Sequence, residues 1–112
     1  LKKFWEICKK YDIVYISDVV NAYIVSINRI LSNSNQQCEE FFISSNNLIT
    51  LRKLVSKYLQ ITNMKAEIMW GEREYRKKEI MKPWNEGKVL PGWKPQISID
   101  EGIKLMYNKN KE

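Results

Sequence analysis

Histidine is missing altogether from this chain of 112 residues. With it go the commonest general base, the commonest metal ligand and every Ser–His or Cys–His nucleophile pair. Chemistry confined to these residues would have to rest on carboxylates, Lys or Tyr. Cysteine is nearly as scarce: Cys8 and Cys38 stand alone, without metal-ligand spacing or the density of a disulfide scaffold. Two such thiols point to a reduced, cytoplasmic protein. The four glycines, Gly71, Gly87, Gly92 and Gly102, are never closely spaced between a strand and a helix, which excludes a dinucleotide-binding phosphate loop. No apolar run approaches the roughly 20 residues of a membrane span, and Leu1-Lys2-Lys3-Phe4-Trp5 does not read as a signal peptide. No Met precedes Leu1, which suggests a fragment or a processed start.

What is present is globular. Hydrophobic residues at 44% and charged ones at 29% argue against disorder, and four Trp, six Tyr and three Phe supply large apolar surfaces for one modest core. Residues 1–112 are therefore read as a single domain. Nineteen Lys and Arg against 13 Asp and Glu leave a net charge of +6, which favours an anionic partner such as nucleic acid, acidic lipid or a diphosphate. The basic residues are scattered except for the dense run Arg73 to Lys82, and a charge run is most often a solvated face.

The pattern predicts an α/β chain of about three helices with two or three short strands. Ile13 to Ile16, apolar and β-branched, reads as a strand, and Ser17 or Asp18 as the cap of a helix to about Leu31, ended by Asn33-Ser34-Asn35. Glu40 to Ser44 reads as a second strand. Ser45-Asn46-Asn47 turns the chain, and Thr50 caps a helix through about Leu59 whose buried face is Leu51, Leu54, Val55 and Tyr58. Ala66 to Trp70 reads as a third strand, stopped by Gly71. Residues from Glu72 to Trp84 are charged and at best helical, and Pro83 to Pro95 form a long structured loop. Ser98-Ile99-Asp100-Glu101 is a capping box, Ser98 serving an orphan N–H and Glu101 reaching back. It opens a helix that buries Ile99, Ile103, Met106 and Tyr107.

The first helix is unusually apolar. Val20, Tyr23, Ile24, Ile27, Ile30 and Leu31 form one stripe at helical spacing, and Val19, Ala22 and Val25 widen it. A surface helix needs an apolar face of only a little over 100°, so this one is expected to be covered on two sides. The chain is short of material for that. The isolated chain is therefore expected to self-associate through the widened side at Val19, Ala22 and Val25.

Two stretches carry a family likeness. Tyr11-Asp12-Ile13-Val14-Tyr15-Ile16-Ser17-Asp18-Val19-Val20-Asn21-Ala22 follows the pattern Arg-Asp-Phe-(apolar)-Tyr/His-Val-x-Asp-Val-x-x-Ala, with Tyr11 in place of the Arg. Gly92-Trp93-Lys94-Pro95, followed by Ser98-Ile99-Asp100-Glu101-Gly102, matches an ending of Gly-Trp-x-Pro and a capped helix with its Gly. Between them, Trp70 to Glu79 has a strand end followed by Arg-x-x-acid. Over about Asp12 to Met106 the chain thereby resembles the C-terminal part of extended short-chain dehydrogenase/reductases, the NAD(P)-dependent epimerases and dehydratases of nucleotide-activated sugars.

The resemblance implies a substrate-side portion of a Rossmann-type enzyme whose cofactor domain is absent from these residues. It assigns Arg76 to the substrate diphosphate and Glu79 to the nucleotide ribose, roles that suit a bidentate guanidinium and an accepting carboxylate. On residue chemistry alone the same pair reads as an exposed i,i+3 ion pair. Structural roles fall to Asp18 at the helix start, Trp93 filling the core, Pro95 setting an extended approach, and Ser98 with Glu101 in the cap. The family's catalytic Tyr and Lys, four residues apart, have no counterpart. The chain alone is thus expected to bind no NAD or NADP and to be inactive, its partner being a nucleotide sugar, with no membrane and no nucleic acid. The alternative is a small basic module for nucleic acid or an acidic protein, which accounts for the charge but not for the Gly-Trp-x-Pro ending.

Overall fold

The computed structural model describes residues 9–32, 38–69, 83 and 86–111. Strand β1 (Lys10–Asp12) pairs antiparallel with β3 (Leu48–Thr50), placing Tyr11 opposite Ile49 and Asp12 opposite Leu48. Strand β2 (Phe41–Phe42) pairs in parallel with β4 (Lys88–Val89). The helices are α1 (Ile16–Ser32), α2 (Leu51–Thr62) and α3 (Ile99–Lys111). The described residues thus form an α/β structure of three helices and two small two-stranded sheets. None of these helices is long and apolar enough to cross a membrane.

The β-branched run Ile13 to Ile16 is not the strand. Pairing falls three residues earlier, on Lys10–Asp12, and Ile16 already opens α1. Strand propensity reports fit to a neighbouring strand, and the neighbour here, Leu48–Thr50, lies opposite residues 10–12. That neighbour is itself too short to announce itself by alternation. The expected strand at Ala66 to Trp70 does not form either: residues 66–69 are exposed and unpaired by any strand, and Trp70 lies outside the described residues. An apolar stretch without a partner edge has no ladder to join.

The local signals for α2 and α3 have visible causes. The Thr50 side chain accepts from the Lys53 N–H at 3.3 Å, and Asn63 closes α2 in the left-handed region at φ 56°. Ser98 Oγ accepts from the Glu101 N–H at 3.2 Å. The reciprocal half of that box is not made, since the exposed Glu101 side chain does not bond back to Ser98. Helices α2 and α3 pack against each other.

Helix α1 packs instead on loops. Its Ala22 joins Leu90 and Trp93 in the buried core, with Val14, Val25, Phe41 and Ile43 against them. This reverses the expected order of its faces. The widened side, Val19, Ala22 and Val25, is the covered one, while Val20, Tyr23, Ile24, Ile27, Ile30 and Leu31 lie exposed. The reason is the small side chain of Ala22, which lets the bulky Trp93 ring close onto the helix. Large aliphatic residues would hold that ring away.

Candidate functional site

The two motif-bearing stretches meet. Asp18 does not cap its own helix: it sits in the first turn of α1, 3% exposed, with its carboxylate turned across to the C-terminal loop. There Oδ2 accepts from the backbone N–H groups of Gln96 at 3.0 Å and Ile97 at 2.9 Å. The start of α1 is served by the Tyr15 carbonyl, which accepts from the Asp18 and Val19 N–H groups. In return, Trp93 Nε1 donates to the Asp18 backbone carbonyl at 2.9 Å, and the ring is 5% exposed. One residue thus receives three bonds from the loop, across a separation of 75 residues or more. Half-buried Pro95 lies between Trp93 and Gln96, in a stretch without regular secondary structure, where its ring fixes φ.

This seam forms one edge of an apolar groove of about 670 Å³. Val14, Tyr15 and Ile16 line it from the β1–α1 junction, Leu54 and Tyr58 from α2, Ser98 from the cap of α3, and Gly102 and Met106 from α3 itself. A second hollow of about 490 Å³ lies between α1 and the segment from Cys38 to Ile43, lined by Ser26, Arg29, Glu39 and Phe41 among others. Arg29 spans it, donating through Nε to Glu39 at 2.9 Å and stacking 5.4 Å over the Phe41 ring. The hydrogen bond from Arg29 holds the Glu39 carboxyl below its ordinary range. Arg76 and Glu79, expected at the diphosphate and ribose, lie outside the described residues.

β3 runs straight into α2 at Thr50, whose side chain accepts from the Lys53 N–H. β1 reaches α1 through Ile13-Val14-Tyr15, which line the apolar groove.

Sequence reading missed a further polar lock. Asp12, at the end of β1, accepts from the hydroxyls of Ser44 and Ser45 and from the Ser45 N–H at 2.8 Å. Burial alone would raise its pKa, but the Ser44 and Ser45 hydroxyls and the Ser45 N–H together bring it below 3.8. The signal was an Asp ending a strand and a Ser-Ser pair leading a turn, with Asn46 at φ 58°.

Among proteins of known role, the chain is similar to the CDP-abequose synthase of Salmonella muenchen, 27% identical over 102 residues. The alignment covers 89% of this chain and 34% of that protein, so the chain spans about a third of the length of the relative it matches. The likeness is that of a distant relation to a nucleotide-sugar synthase. No family model matches the chain, and no solved structure matches it significantly.

Proposed function

We propose that this chain holds the nucleotide end of a nucleotide-activated sugar, as the substrate-side segment of an NAD(P)-dependent epimerase or dehydratase of the extended short-chain dehydrogenase/reductase type. The observation that carries this reading is the similarity to CDP-abequose synthase. It leaves out only about a tenth of the chain, so Asp18 and Trp93 both fall within its span. The three bonds joining those stretches support the reading, because they account physically for two motifs that lie far apart in sequence.

In this reading the cofactor, NAD or NADP, and the Tyr–Lys pair that handles hydride and proton belong to another part of the enzyme. The present residues supply position. Binding energy taken at the diphosphate and nucleoside, remote from the reacting carbon, orients the sugar. Arg76 grips the diphosphate and Glu79 accepts from the ribose hydroxyls. The net charge of +6 serves the same anion.

Calorimetric titration of the 112-residue chain with CDP-glucose and UDP-glucose tests this. Saturable binding to at least one is expected. Arg76→Ala should weaken it by about 10- to 150-fold, the equivalent of one charge-assisted hydrogen bond, with Arg76→Lys recovering part. NADH titrated at micromolar concentration should give no saturable signal. A chain indifferent to both sugars, or an Arg76→Ala variant that binds like the parent, overturns the assignment.

A further inference from the structure

We draw no further inference here: the strongest candidate, the apolar groove of about 670 Å³ between the β1–α1 junction and helices α2 and α3, is an unpartnered apolar face, and nothing in the structure shows what covers it.

Discussion

Among the described residues, two of the seams that hold the helices differ in what closes them. Where α1 meets the C-terminal loop, the contact is dry: Trp93, Leu90 and Ala22 are buried, and the loop donates three hydrogen bonds to Asp18. Where α2 meets α3, the polar link is Lys57 to Asp100 at 2.8 Å, with side chains 42% and 53% exposed, and the 670 Å³ groove runs alongside. Hydrogen bonds in a dry seam keep their strength, while an exposed ion pair is screened by solvent. The first seam should govern stability, and the second leaves α2 and α3 free to admit a ligand or a neighbour.

The largest effect should come from emptying the dry seam. Trp93→Ala removes its bulkiest side chain together with the Nε1 bond, and the expected loss is about 3–5 kcal/mol in urea unfolding. Asp18→Ala leaves the Gln96 and Ile97 N–H groups without their carboxylate and should cost about 2–3 kcal/mol. If Asp18→Ala unfolds at the parent's midpoint, the loop is held by apolar contact alone and the contrast between seams loses its polar half.

That contrast was only half legible in the residues. Thr50 and Ser98 announced the starts of α2 and α3 because a cap is a local device, readable within four residues. The Gly-Trp-x-Pro ending marked a structured loop for the same reason. The bond from Asp18 to Gln96 and Ile97 was not legible: an Asp at a helix start has a local job available, and only the tertiary contact diverts it. The two faces of α1 were misordered because stripe width was weighed without side-chain size. Ala22 counted as a weak apolar residue, yet its smallness is what admits Trp93. Arg76 and Glu79 rest on the resemblance, since their pattern is also that of an ordinary solvated pair.

A smaller effect separates both seams from the lock at Asp12. Its carboxyl is depressed in the folded chain. Its contribution is therefore complete above the ordinary value of 3.8 and is lost as pH falls through the lower folded value. Asp12→Asn should cost about 1–2 kcal/mol at pH 7 and flatten the acid limb of the stability profile below about pH 4. Urea midpoints across that range decide. An unchanged acid limb would mean that other carboxyls set it.

Gly102 probes where the seams touch, because it is buried and faces Tyr15 at the groove. An added Cβ would come 3.2 Å from Tyr15 Cδ2, close enough that the ring must yield by a few tenths of an ångström. Tyr15 lines the groove and has room to yield, so the helical preference for Ala should dominate. Gly102→Ala is expected to stabilise by up to about 1 kcal/mol. A loss of similar size would show the ring to be wedged, and the groove to be closed at that end.

The smallest expected effect is the most direct test of the open seam. Asp100 lies in the first turn of α3, so replacing it also removes a favourable interaction with the helix dipole, worth about 0.3–1 kcal/mol. A single substitution would confuse that with the ion pair. A double-mutant cycle on Lys57→Met and Asp100→Asn separates them, because the dipole contribution cancels and only the coupling remains. That coupling should be about 0.2–0.5 kcal/mol in dilute buffer. It should fall toward zero near 1 M salt, where the screening length is about 3 Å. Thermal or urea unfolding of the four proteins at both ionic strengths measures it. A coupling above about 1 kcal/mol that ignores salt is the behaviour of a desolvated pair. It would place α2 and α3 in the same class of contact as α1 and its loop, and the two seams would no longer differ.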